Sequence, residues 1–190
     1  MMTHFRSPSY LLFLFLALVV LASPRLDAQS KTMTALKNES VIQYLLIHPL
    51  HEVEAVCKDL FCTIQYDDAT QTILGTSFSA DVSSFDSGNS NRDSHAMEVL
   101  DALSFPTVSF KSNKIDTQGN GLQVAGDLTF HGVTKPITFS AWTSTEGKKL
   151  KVEGKANVSL TAFQIERPAL LMIPVQDTLR ISFTMVFQTP

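Results

Sequence analysis

Residues 126–142 read GDLTFHGVTKPITFSAW. Leu128 and Phe130 share one parity before the turn, and Ile137 and Phe139 share one after it. Asp127, Thr129, Thr138 and Ser140 take the opposite parity. Alternation with a period of two describes a strand with one dry and one wet face. The segment between the runs, His131 to Pro136, carries the glycine and proline of a turn.

The same pattern extends in both directions. Upstream, Leu122, Val124 and Gly126 continue the dry parity. Downstream, Leu150, Val152, Gly154, Ala156, Val158 and Leu160 alternate with polar residues, and Leu179, Ile181, Phe183, Met185 and Phe187 alternate with Thr178, Arg180, Ser182, Thr184 and Gln188. Weaker strand patterns occupy 41–47, 52–57, 61–66, 72–82, 107–115 and 136–143. One-sided apolar strands of this kind belong to an antiparallel sheet rather than to a parallel sheet buried on both faces. One helix is predicted within SNRDSHAMEVLDAL, with Ser90 as its cap, Asp93 in its first turn and Met97, Leu100 and Leu103 on one face. Phe105-Pro106 should end it.

The run from Lys149 to Thr161 is long for a strand of a compact domain, unless it bends at Gly154. Long, curved, one-sided strands close into barrels. A barrel of about eight strands has an interior that side chains can fill or that can hold one ligand. Small residues at inward positions, Gly126, Ala141, Gly154 and Ala156, suit the second option, although glycine also serves curvature.

The beginning of the chain is set apart. His4 and Arg6 precede the apolar run LLFLFLALVVLA (11–22), which is followed by a polar stretch ending at Ala28. This three-part order predicts a secretory signal peptide over 1–28 and one domain over 29–190, exported to the periplasm or secreted. The 15 basic and 18 acidic residues give a net charge of −3, which argues against nucleic acid as a partner. Cys57 and Cys62 flank a short KDLF segment. In an oxidising compartment they are candidates for a disulfide across a hairpin, the alternative being two free thiols. Neither they nor His48 and His51 complete a metal site at zinc spacing.

Two stretches, RDSHAMEVLDALSFPTVSF (92–110) and VAGDLTFHGVTKPITF (124–139), resemble the YceI-like proteins, also called the lipid/polyisoprenoid-binding family. The shared pattern is an Arg-Asp-x-His helix start, a Phe-Pro strand start and an L-T-x-H-G-V-T-K strand–turn–strand. The resemblance implies an all-β fold, an extended, antiparallel, eight-stranded, lipocalin-like β-barrel with one or two short helices. It further implies an apolar tunnel for an isoprenoid chain such as a polyprenyl quinone, with no cofactor and no catalytic activity.

On that reading, parity makes Phe110, Leu128, Phe130, Ile137, Phe139, Leu150, Val152, Val158, Ile181, Phe183 and Phe187 the tunnel-lining candidates. A solid core would use the same residues. Arg92, Asp93, His95 and His131 are the polar residues of the motif. They either meet a head group at the mouth or brace the local structure, with Asp93 capping the helix and His131 fixing the turn. The expected partners are an isoprenoid lipid or quinone and, transiently, the membrane from which it is exchanged. An exposed strand edge could also pair two copies into a homodimer. Two other classes are weighed against this. Asp93, Ser94 and His95 are consecutive, so their side chains diverge and cannot form a hydrolytic relay. A secreted β-sandwich module for carbohydrate binding or adhesion fits the strand pattern, but one tryptophan and three tyrosines give it little aromatic platform.

Overall fold

The computed structural model describes residues 30–189, so the apolar run at 11–22 and the expected leader lie outside the described residues. The first half contains β1 (Ser30–Thr34), β2 (Val41–His48), β3 (His51–Cys57), β4 (Leu60–Asp67), β5 (Thr72–Asp81) and a 3₁₀ turn η1 (Val82–Ser84). Helix α1 (Ser90–Val99) follows, then β6 (Thr107–Gln118), β7 (Gly121–Phe130), β8 (Val133–Glu146) and β9 (Lys149–Ser159). The chain finishes with η2 (Thr161–Phe163), a small hairpin of β10 (Ala169–Leu170) and β11 (Ile173–Pro174), and β12 (Thr178–Gln188).

Ten strands form one antiparallel sheet in the order β1-β4-β5-β6-β7-β8-β9-β12-β2-β3. The expected count of eight reappears once two interruptions are recognised. β2 continues β1 past the break at 35–40, and β4 continues β3 past Lys58-Asp59; β1 pairs with β4 while β2 pairs with β3. These are two long strands, each broken once. The sheet curls until Ala35 bridges Phe187, with Leu36 N–H donating to the Val186 carbonyl at 2.8 Å. A sheet that returns to its own edge is a barrel, and the two-sheet sandwich considered above does not form.

This continuity overturns the hairpin disulfide. The chain does not reverse between Cys57 and Cys62 but runs on along the same partner strand. Five residues of extended chain span about 16 Å, and a disulfide needs Cα atoms about 5.5 Å apart. Both cysteines are free and buried. Burial pushes the Cys62 thiol up to about 11 and also raises Cys57, whose sulfur donates to the Asp59 carbonyl. Since the thiolate is the reactive form, the native protein is expected to react slowly with a thiol-specific reagent at pH 8. After non-reducing denaturation two thiols per chain should titrate; none would titrate if the bridge existed.

The opening stretch folds as a strand–turn–strand with a shorter turn than its composition suggests. His131 and Gly132 alone form it, between the paired residues Phe130 and Val133, and both have positive φ (50° and 71°). Two central residues at positive φ mark the hairpin turn whose twist matches that of the strands. A Cβ on Gly132 would lie 2.4 Å from the Phe105 ring, so the turn also needs glycine for close packing. β8 then runs straight through Pro136.

The two ends of the barrel differ. The turns at 68–71, 119–120 and 147–148 are tight, and near them Met33, Tyr66, Ile73, Leu122 and Phe187 are buried, the last only 1% exposed. The long connections, 82–106 and 160–177, gather at the other end with the turns at 49–50 and 131–132. Two carboxylates fasten the connections. Asp177 is held below the ordinary aspartate value of 3.8, chiefly by the Ser159 hydroxyl and then by Thr161 N–H. Asp67 is lowered chiefly by the Thr70 hydroxyl and then by Ala69 N–H. A lowered folded-state pKa contributes stability that is present above the unfolded value and lost as pH falls through the folded one. Melting temperature is therefore expected to be flat above about pH 5 and to drop below about pH 4; Asp177→Asn should flatten part of that drop.

Candidate functional site

The inward faces of the strands do not close on one another. They enclose a cavity of about 510 Å³ that opens among the long connections. This is within the range of small-molecule sites, about 300–1,000 Å³. The space also shows in exposure: Ile137, Phe139, Ile181 and Phe183 face inward yet are only partly buried, because one side of each borders the cavity. The aromatic rings line the space as a connected wall. Phe110 lies 5.3 Å from Phe139, and Phe139 meets Phe183 edge-on at 5.7 Å.

Ten of the eleven parity candidates line this cavity: Phe110, Leu128, Phe130, Ile137, Phe139, Val152, Val158, Ile181, Phe183 and Phe187. Leu150 does not. It pairs with Phe187 and Thr145 near the tight-turn end, where it is packed into the solid base of the barrel. The small inward residues divide in the same way. The spaces beside Gly126 and Gly154 are taken by the rings of Phe110 and Phe183, whose atoms lie 2.5 and 2.3 Å from where a Cβ would stand. Ala141 and Ala156 face the cavity itself.

Helix α1 caps one side of the opening. Asn89, not Ser90, is its N-cap, accepting from the N–H groups of Asn91 and Arg92. The helix ends at Val99 rather than at Phe105, because Asp101 takes a left-handed φ of 41°. Met97 and Leu100 line the cavity, but Leu103 lies past that turn and is 100% exposed. Asp93 and Arg92 both hold the preceding loop at Ser87. Asp93 accepts from the Ser87 N–H at 3.1 Å and from its hydroxyl, while Arg92 Nε donates to the Ser87 hydroxyl and its terminal nitrogen to the Ser87 carbonyl at 2.7 Å. They brace the loop and border the cavity at the same time, and His95 borders the cavity as well. His131 is placed elsewhere. Its Nδ1 donates to the Phe163 carbonyl at 3.2 Å and its ring packs edge-on to Phe105, so it fixes the turn and does not line the cavity.

Among the other polar lining residues, Tyr44, His48 and His51 carry no motif and stand outside the head-group candidates. Tyr44 points from β2 toward the α1 start; burial first, and then the charge of Asp93, raises its hydroxyl above the ordinary value of 10.0. His48 is buried, its Nδ1 accepts from Leu50 N–H, and its Nε2 therefore donates to the Ile173 carbonyl at 2.8 Å. His51 stacks beside it, with ring centroids 5.0 Å apart. All three come from the β2–β3 hairpin, whose position at the mouth depends on the broken-strand topology. The result is an apolar shaft with a polar collar at its open end.

The profile of the YceI-like domain matches residues 27–187. The chain belongs to this family. Among curated YceI-type relatives, a UPF0312 protein of Vibrio cholerae is 40% identical over 79 residues, covering 40% of this chain and 42% of that protein. Protein YceI of Salmonella arizonae is 28% identical over 116 residues, covering 57% of this chain and 61% of the relative. The chain thus matches about two-fifths to three-fifths of the length of these relatives. Solved structures share the YceI-like fold at lower identity. BcnA of Burkholderia cenocepacia superposes with a TM-score of 0.72 at 22% identity, over 80% of this chain and 98% of that one. A polyisoprenoid binding domain from Saccharophagus degradans superposes with a TM-score of 0.64 at 10% identity, over 85% and 100%.

Proposed function

We propose that this YceI-like chain is an exported binding protein that holds an isoprenoid chain, a polyprenyl quinone or similar lipid, tail-first in the barrel, and that it acts as carrier or buffer rather than catalyst. The observation that carries this reading is the cavity: predominantly apolar along its length, with its charged and histidine side chains toward its mouth. Family membership and the polyisoprenoid binding described for the Saccharophagus domain support it. The tail would lie against the Phe110–Phe139–Phe183 wall, leaving the head group among Tyr44, Arg92, Asp93, His48, His51 and His95. The guanidinium donors of Arg92 that are not spent on Ser87, and the imidazoles of His51 and His95, suit quinone or phosphate oxygens.

Burying one CH₂ contributes about 0.8 kcal/mol relative to water, so a five-carbon isoprene unit contributes roughly 3–4 kcal/mol. A few units offset the ~4–15 kcal/mol cost of association. A lipid drawn from a bilayer already has a dry tail, so exchange with the membrane stays near balance, as carriage and release require. Titrating delipidated protein with polyprenyl quinones of increasing length tests the reading. Affinity measured from water should rise by roughly two orders of magnitude per isoprene unit until the shaft is full. Affinity independent of chain length would rule out tail-first binding.

A further inference from the structure

The hairpin β10–β11 beside the cavity mouth is built against the usual chemistry of its turn. Leu170 pairs with Ile173, leaving Leu171 and Met172 as the two turn residues, with φ of 51° and 65°. This is the same turn type as His131-Gly132, but without glycine, asparagine or aspartate at either central position. Such residues favour this turn because large side chains disfavour positive φ. The two side chains are also presented to solvent, Leu171 at 76% and Met172 at 96% exposure. Folding the hairpin does not explain this choice of residues, since both the backbone and the exposure work against it.

The hairpin is also firmly seated. His48 Nε2 donates to the Ile173 carbonyl, Val175 N–H to the Pro168 carbonyl at 2.9 Å, and Gln176 N–H to the Ile47 carbonyl at 2.7 Å. Arg167 donates to the Val175 carbonyl, and Val175 itself is buried. The apolar tip is therefore held out on a fixed base. Leu50, held beside the hairpin through His48, is exposed too, as are Met97 and Leu103 elsewhere at the same end of the barrel. The surface is continuous with the proposed lipid site, because Pro168, Ala169 and Leu170 line the cavity. No charged residue occurs from Pro168 to Gln176. Around the rim, Glu52, Glu54, Asp86, Asp93, Glu98, Asp101, Glu166 and Asp177 outnumber Arg92, Lys135, Arg167 and Arg180.

We infer that the Leu171–Met172 tip, with Leu50 and Leu103, is a docking surface that dips into a zwitterionic phospholipid bilayer and sets the cavity mouth against it. The inference rests on the lipid-holding reading above and adds to it the surface through which the lipid passes. An apolar tip suits the boundary between head groups and acyl chains, and a predominantly acidic rim disfavours anionic membranes. Docking is therefore insensitive to salt, and anionic lipid weakens it.

Two variants test this on the purified protein. Leu171→Asn with Met172→Gly installs the residues that the turn geometry favours, so the melting temperature should hold or rise. Partition onto phosphatidylcholine vesicles should nevertheless fall at least tenfold. Met172→Trp, combined with Trp142→Phe to remove the chain's single tryptophan, should show emission quenched by vesicles with brominated acyl chains. Unchanged partition of the first variant, or unquenched emission from the second, overturns the inference. Concentration-dependent self-association that buries the tip without quenching also overturns it, giving the tip to a second copy. Native mass spectrometry of the same samples keeps the two readings apart. Lipid-loaded protein that fails to dock removes only the docking surface, whereas quenching in protein that never carries lipid leaves the surface standing and removes the carrier.

Discussion

Gly126→Ala is expected to lower the unfolding free energy by about 3 kcal/mol, the upper end of the usual cost of overpacking. For a domain of this size that corresponds to a melting temperature lower by roughly 6–12 °C. The cause is local and rigid. A Cβ on Gly126 would lie 2.3 Å from the Lys111 carbonyl oxygen, 2.5 Å from Phe110 Cζ and 2.7 Å from Ser112 Cα. Two of these three atoms are backbone, and that backbone is fixed by the bulge in β6, where the register with β7 shifts between Ser112 and Lys114. A bulge places two residues opposite one and bends its strand, and here the bent strand presses on Gly126. Gly75→Ala is the control. Its Cβ would meet only side-chain atoms at 3.5–3.8 Å, so stability should hold or gain a few tenths of a kcal/mol. Scanning calorimetry that finds the two variants equally stable would contradict this packing.

The second large effect is on binding. Ala156 pairs with Ile181 across β9 and β12 and faces the cavity. In a filled core, Ala156→Phe would overpack and cost about 1–3 kcal/mol. In a hollow barrel the ring has somewhere to go, so the folded state should keep its stability within about 1 kcal/mol. The ring would then occupy space meant for the tail. Losing the burial of about one isoprene unit, roughly 3 kcal/mol, weakens a long-chain ligand about a hundredfold. Chemical denaturation and ligand titration of one preparation measure both numbers. Loss of stability with affinity unchanged would point to a solid interior.

Parity carried most of the fold. Along β7 and β9 the alternation survives intact, whereas in β12 it ends at Val186, which is buried together with its neighbours Met185 and Phe187. It failed where the backbone changes phase. The β6 bulge lets Phe110 and Ile115, of opposite parity, both line the cavity, so a strict alternation finds only one of them. The break at Lys58-Asp59 looks locally like a hairpin, but its two ends pair with different stretches of one long partner, a long-range fact with no local signal. The mouth was least legible. Tyr44, His48 and His51 reach it through that same topology, and the β10–β11 turn contains none of the residues that announce turns. Glycine at inward positions was ambiguous for a physical reason: Gly126 and Gly154 leave room for neighbouring rings, whereas Ala156 leaves room for a guest.

The most direct measurement is native mass spectrometry of the protein prepared without detergent. The expected spectrum contains the folded chain carrying a hydrophobic guest of lipid mass, released intact on collisional activation and strongly depleted in the Ala156→Phe variant. A bare chain in every preparation, which also takes up no added isoprenoid, would mean that the inward faces do not serve to hold a lipid tail.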